Sequence, residues 1–243
     1  MKSLIKLIQL FSSRELFFTF LKTSVFSLSS FKILKSAKLR GINPAVIIDV
    51  GANIGQFSVM SRLFFPNATI YPIEPNPYIQ SKLKKNLGYD LANRIQACGI
   101  GDSNGTMVFK LNSDSQVSSF LDLGEDRAKH FPSSHVTEKI SIPVRTLDSL
   151  YWGNIPTGKL LIKIDVQGFE DKVLKGAEKL LNQTDWVIIE ISFMNLYVGE
   201  LSLLGIAKIL DEYGLKFICP LNFHTTNDGS EIIEMDALFE RIH

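Results

Sequence analysis

From residue 43 onward, short unbroken apolar runs alternate with stretches in which apolar side chains recur every three or four positions. An unbroken apolar run of this length reads as a strand buried on both faces, and the longer period as an amphipathic helix. AVIIDV (45–50) opens the series as such a strand. Ile54, Phe57, Met60 and Phe64 then share one helical face, and the pattern stops before Pro66. ATIYPIE (68–74) predicts the second strand. Asn76 and Pro77 supply the N-cap and first-turn residues of a helix carrying Ile79, Leu83 and Leu87 on one side and ending at Gly88. RIQAC (94–98) predicts a third strand. TMVFKLN and KISIPVR, within residues 105–145, predict two added strands around a Ser-rich loop.

The alternation resumes with KLLIKID (159–165), a helix presenting Val173, Leu174, Ala177, Leu180 and Leu181, and then WVIIEI (186–191). A further helix near 201–213 ends at Gly214. KFICP (216–220) and IIEMDALFE (232–240) have no helix between them, so this last pair is expected to be an antiparallel hairpin. Such a chain is α/β, with a doubly wound, mostly parallel sheet and an antiparallel terminal strand. One domain over residues 43–243 follows an N-terminal helical extension over residues 1–42.

Composition narrows the function. A net charge of +1 over 243 residues argues against a nucleic-acid binder, which is usually clearly basic. Cys98 and Cys219 lie far apart without metal-ligand spacing and read as two thiols in a reducing, cytoplasmic setting. No charge-free apolar run of about eighteen residues predicts a spanning helix. The first forty residues differ from the rest: they hold eight Lys/Arg, six Phe and the single acid Glu15. A segment of that kind can lie on an anionic membrane surface or pack across the domain as a lid or dimer face, and the lid or dimer reading is preferred. Lys6 and Arg14 break any signal-peptide core.

Ligands of open α/β sheets bind beyond the carboxyl ends of the strands. Asp49, Glu74, Asp165 and Glu190 fall at four such ends, and Asp102 follows the third strand. One of these acids means little, since strand-to-helix corners favour helix-capping acids; five together make a negative rim. The turn Gly51-Ala52-Asn53-Ile54-Gly55 lacks the middle glycine of the dinucleotide pattern G-x-G-x-x-G. Glu74 lies 23 residues after Gly51, placed to accept from both hydroxyls of a ribose. A ribose, no phosphate and a sulfonium cation describe S-adenosylmethionine, which suits a negative rim.

VIIDVGANIGQFS, IYPIEPNP, KLLIKIDVQGFEDKVLKGAEKLL and MDALFE resemble the FkbM family of class I S-adenosylmethionine-dependent methyltransferases over roughly residues 45–240. The resemblance implies a seven-stranded, Rossmann-like sheet. It implies a cofactor loop shaped by Asp49, Gly51, Asn53 and Gly55, with Glu74 on the ribose and Asn76 just beyond. Gly101 and Asp102 match the turn where the family holds adenine. The family acts mostly on hydroxyls of polyketides and glycans, so the implied acceptor is a sugar, a glycan precursor or a similar small molecule.

A hydroxyl nucleophile must lose its proton, and the fourth and fifth strand ends beside the methyl carry Asp165 and Glu190. Asp165 is the first candidate for base or hydroxyl orienter. The two acids could instead share Mg²⁺, which suits oxygen-only ligands. Glu170 reads as favouring a helix N-terminus, and Gly168 as permitting the turn after Asp165. Ser118 and Ser119, within Gln116–Phe120, could bond a polyol. His130, His135 and His224 read as loop histidines, with His224 able to reach the site. The competing readings are a nicotinamide-dependent oxidoreductase and a non-catalytic scaffold of the same fold. Oligomeric state stays open.

Overall fold

Five consecutive buried residues in β1 (Val46–Val50) and five in β6 (Leu160–Ile164) make the centre of the sheet. The computed structural model describes residues 25–131, 134–226 and 228–242. In chain order the elements are α1 (Leu28–Leu39), β1, α2 (Gln56–Phe64), β2 (Thr69–Ile73), α3 (Gln80–Ala92), β3 (Gly99–Ile100) and β4 (Gly105–Asn112). There follow α4 (Glu125–His130), β5 (Val136–Arg145), α5 (Leu147–Tyr151), β6, α6 (Glu170–Lys175), α7 (Glu178–Leu181) and β7 (Trp186–Ser192). The chain closes with α8 (Leu203–Glu212), β8 (Leu215–Thr225) and β9 (Ile232–Arg241).

The main sheet runs β2-β1-β6-β7-β9-β8. β1 is parallel to β2 and β6, and β6 to β7; β9 is antiparallel to both β7 and β8. Both faces are covered. Ile47, Leu161 and Ile188 pack with Leu34 of α1, Met60 of α2 and Leu83 of α3. Ile48, Ile162 and Val187 pack on the other side with Leu147 of α5, Val173 of α6, Leu180 of α7 and Leu210 of α8. Successive strand residues point to opposite faces, so unbroken apolar runs are what a doubly covered sheet requires.

One expectation needs correction. The third strand contributes to the main sheet only through a parallel bridge between Ile73 and Gln96, so six strands are fully paired and the seventh is reduced to that bridge. Its hydrogen-bonded part, β3, instead pairs with β5, whose antiparallel partner β4 completes a small second sheet. A five-residue run with arginine and glutamine has too little apolar surface to extend the edge. Gly88 does end the helix that carries Ile79, Leu83 and Leu87: it takes the non-helical φ 72°, and a second short helical stretch follows to Ala92.

The described part of the N-terminal segment belongs to the same core. Ser27 caps α1, its hydroxyl accepting from the Ser30 amide at 3.2 Å. Phe31, Ile33, Leu34 and Ala37 are buried against the sheet-side core. Of the segment expected to contact a membrane, residues 1–40, the first 24 lie outside the described residues, with four of its eight Lys/Arg and four of its six Phe. No described helix is long and apolar enough to cross a membrane.

Leu34→Ala removes a fully buried side chain and is expected to cost about 2–5 kcal/mol in urea unfolding. A loss below about 0.5 kcal/mol, the range of surface substitutions, would show that α1 is not part of the core.

Candidate active site

The strand ends open into a cavity of about 720 Å³, a size suited to a small-molecule ligand. Its wall combines the loop after β1 (Gly51, Ala52, Asn53), Glu74 after β2, the Cys98–Ile100 stretch, and Asp165, Val166 and Gln167 after β6. Phe26 and the first turn of α1 close one side.

Gly51 has φ 82°, and a Cβ there would come within 1.8 Å of the Asp165 carbonyl oxygen. Only glycine lets the ends of β1 and β6 approach this closely. Asn53 follows in a left-handed conformation, φ 48°, its side chain accepting from the next amide, Ile54, at 2.7 Å. The backbone amides of Asn53 and Asn76 each donate to one oxygen of Glu74, both at 2.8 Å. Burial pushes the Glu74 carboxyl up to about 7 despite those two donors. Each Glu74 oxygen retains a lone pair, so the carboxylate can still accept from ligand hydroxyls.

The remaining members of the expected cofactor set divide. Asp49 is buried beneath the loop and does not line the cavity; it accepts from the Ser58 hydroxyl at 2.6 Å, and burial holds its pKa above the ordinary value. Asn76 is buried off the wall and caps the short turn Pro77–Ile79 through the Tyr78 amide at 3.0 Å. Gly55 packs behind the wall against Leu83 and Leu87. Gly101 and Asp102 lie past the lining residues Cys98–Ile100. Gly101 packs under Val144 and Phe169, and Asp102 is exposed, 3.5 Å from the Lys172 ammonium.

Asp165 and Glu190 come together as expected, in a network the sequence did not disclose. Gln167 donates its amide nitrogen to Asp165 Oδ1 at 2.9 Å and to Glu190 Oε2 at 2.6 Å. The Lys163 ammonium donates to Asp165 Oδ2 at 2.9 Å and stands 3.8 Å from Asp49. Burial would raise Asp165, but Lys163 together with the hydrogen bonds from Lys163, Gln167 and Glu190 outweighs it and holds Asp165 below the usual carboxylate range. Burial, and then Asp165 itself, push Glu190 well above that range. Ionisation is thus favoured at Asp165 and disfavoured at Glu190.

Gln167 is held in a left-handed conformation, φ 59°. Glu170 pins the turn by accepting from the Val166 and Gly168 amides at 3.1 and 3.2 Å, a more specific role than favouring a helix dipole. Tyr197 donates its hydroxyl to Gln167 Oε1 at 2.6 Å. The antiparallel register sets Asp236 opposite Glu190. Asp236 accepts from Asn222 Nδ2 at 3.1 Å, and burial pushes it up to about 6. Beside it, the Glu234 carboxylate 2.7 Å from His224 Nδ1 holds that imidazole above its ordinary value. His224 lies in β8 and lines the cavity; His130 and His135 do not.

Lys163, Gln167, Tyr197 and Asp236 were missed. A lysine inside an apolar strand and the polar residue in Asp-Val-Gln-Gly were the visible signals for the first two; only strand pairing reveals Asp236. Ser118 lines the cavity, but Ser119 does not: its hydroxyl donates to the Gln167 carbonyl at 2.6 Å and accepts from Leu121 at 3.1 Å. The Mg²⁺ expectation also fails on the donor set. An ammonium and an amide N–H₂ already point at Asp165 and Glu190, and no group of three metal-binding side chains occurs among the described residues.

A model of the methyltransferase FkbM domain matches residues 49–217, spanning the loop after β1, the acid network and the start of β8. The chain belongs to the FkbM methyltransferase family. It is 29% identical over 179 residues to 2-O-methyltransferase NoeI of Sinorhizobium fredii, covering 70% of this chain and 72% of that one. It is 27% identical over 158 residues to Methyltransferase 1 of Beauveria bassiana, covering 59% and 61%. Among solved structures it is similar to magnesium protoporphyrin IX methyltransferase from Synechocystis PCC 6803, with TM-score 0.46, 11% identity, and 88% and 78% of the two chains covered.

The FkbM-domain turn at Glu170 carries a pH signature. Burial pushes Glu170 up to about 8, from 4.5 in an open chain. The folded chain therefore holds a proton that the unfolded chain releases, so Glu170's contribution is full below about 4.5 and is lost as pH rises through about 8. Glu170→Gln, fixed in the neutral form, is expected to flatten the decline in urea midpoint across that window. An unchanged slope would place the titration elsewhere.

Proposed function

We infer that this FkbM-family chain transfers the methyl group of S-adenosylmethionine to a hydroxyl of a sugar, glycan precursor or similar small molecule. The observation that carries the reading is the cavity itself, with a buried glutamate on the glycine-loop side and a hydrogen-bonded acid network on the other. When bound, S-adenosylmethionine supplies an electrophilic methyl on a sulfonium. Gly51, Asn53 and Glu74 fit its nucleoside: the loop admits close backbone approach, and Glu74 keeps two free lone pairs for ribose hydroxyls. Asp165 and Asp236 supply the negative potential that a sulfonium favours. The name of the relative from Sinorhizobium fredii, a 2-O-methyltransferase, supports a hydroxyl acceptor.

The acids divide the work at the acceptor. Asp165, ionised and held below the ordinary range by Lys163, is a good hydrogen-bond acceptor but a weak base, so it orients the hydroxyl. Asp236, near 6, is better matched to receiving the proton as the new C–O bond forms. Glu190, whose ionisation burial and Asp165 disfavour, accepts from Gln167 and is less suited to take the proton. The oxidoreductase reading has neither a middle glycine nor a phosphate cradle in its favour, and a scaffold has no evident need of acids gathered at the strand ends.

Ligand hydroxyls donating to Glu74 favour its ionised form, so binding S-adenosylhomocysteine near neutral pH should release a proton. Calorimetry in two buffers of different ionisation enthalpy reads that proton directly. Glu74→Ala should weaken binding at least about tenfold, the cost of losing a buried charged acceptor. No binding at millimolar ligand sinks the reading.

Incubation with methyl-labelled S-adenosylmethionine and extract of the source cell, followed by mass analysis, identifies the acceptor. With that acceptor, turnover should rise with pH through about 6 as Asp236 ionises. Asp236→Asn should remove that limb and lower turnover about 10²–10⁴-fold. Retention of the limb in Asp236→Asn assigns the base to another group.

A further inference from the structure

Arg127 projects from α4 into the cavity wall while only 4% exposed. Its Nε has no hydrogen-bond partner, and no described carboxylate pairs with its guanidinium. Aromatic rings hold it instead: the guanidinium carbon lies 4.2 Å from the Phe131 ring centroid and 5.6 Å from that of Tyr197. An arginine cannot shed its charge, and cation–π contacts return only part of what desolvation takes away. Four of the cavity's carboxylates are engaged by other groups: Asp165 by Lys163, Glu190 by Gln167, Glu234 by His224 and Asp236 by Asn222. A buried guanidinium with an unpartnered Nε–H and no paired carboxylate, in the wall of a ligand cavity, is built for an oxyanion that arrives with the ligand.

Its position identifies which part of the ligand it meets. Arg127 stacks beside Tyr197, whose hydroxyl bonds Gln167, the residue bridging Asp165 and Glu190. It is therefore one ring and one amide from the acids assigned to the acceptor hydroxyl. The glycine loop and Glu74 belong to other strand ends. Ser118, on the same wall, has its oxygen engaged by the Asn112 amide at 3.0 Å and keeps its hydroxyl hydrogen for a ligand.

We propose that Arg127 is an oxyanion subsite for the methyl acceptor, which accordingly carries a phosphate ester or a carboxylate on the same molecule as the methylated hydroxyl. This rests on the methyl-transfer reading above. It narrows the acceptor from neutral sugars to phosphorylated or acidic ones.

The full-length chain saturated with S-adenosylhomocysteine is titrated with inorganic phosphate, and separately with acetate, against chloride at constant ionic strength. The Arg127 Nε–H resonance, assigned by its loss in Arg127→Lys, is followed by NMR. Saturable movement of that resonance is expected, and the anion giving the lower midpoint distinguishes phosphate from carboxylate chemistry. Arg127→Gln should raise the anion midpoint at least about tenfold, the scale of a charge-assisted bidentate contact, while S-adenosylhomocysteine affinity stays within about twofold. If Arg127→Gln does not fold, the wild-type resonance alone decides.

No saturable shift with either anion overturns the proposal. So does a tenfold loss of S-adenosylhomocysteine affinity in Arg127→Gln, which would give Arg127 to the cofactor's own carboxylate. Failure of the wild-type chain to bind S-adenosylhomocysteine at all is a different result, and it removes the methyl-transfer reading instead.

Discussion

The Lys163 ammonium, buried between Asp165 and Asp49, is the contact on which the site depends. Burial alone would push its pKa down; the two carboxylates outweigh that and hold it above the ordinary value. Lys163 therefore remains charged inside the sheet, 5.7 Å from the Phe57 ring, and keeps Asp165 ionised in turn. Removing either partner would leave an uncompensated buried charge. This one interaction joins β1 to β6 at their carboxyl ends. It sets the charge state of Asp165.

A second layer of constraint fixes shape. Glu170 collects two amides and holds Gln167 in its left-handed turn, and Gln167 then aims its amide at both Asp165 and Glu190. Across the cavity, Glu74 gathers the Asn53 and Asn76 amides and so ties the glycine loop to β2. Both loops are thus positioned by buried glutamates through backbone amides, whichever ligand is present. The chain holds the two halves of its cavity in place before any substrate enters, which is the cost an enzyme avoids by preorganisation.

Much of this fold was legible because burial leaves a local trace. AVIIDV and KLLIKID read as buried strands since a sheet covered on both faces demands apolar residues on both. The acids ending those strands were legible because a carboxylate after such a run stands out. Errors fell where the local pattern is weak. RIQAC has little apolar surface, and only one bridge of it joins the main sheet. Asp102 was legible as an acid near a strand end, but not as a surface residue facing Lys172.

What the sequence determined by itself was the α/β class, the central strands, the glycine turn and the acids on the cavity edge, all properties of periods shorter than about ten residues. What only the tertiary structure decided was partnership. Asp236 faces Glu190 because β9 enters antiparallel to β7, 46 positions further along the chain. Tyr197 reaches Gln167 across 30 residues, and Arg127 meets Tyr197 across 70. Hydrophobic periodicity encodes which side of an element is buried. It does not encode what lies opposite, and the protonation state of a buried acid or the lack of an acceptor for a buried arginine depends on that alone.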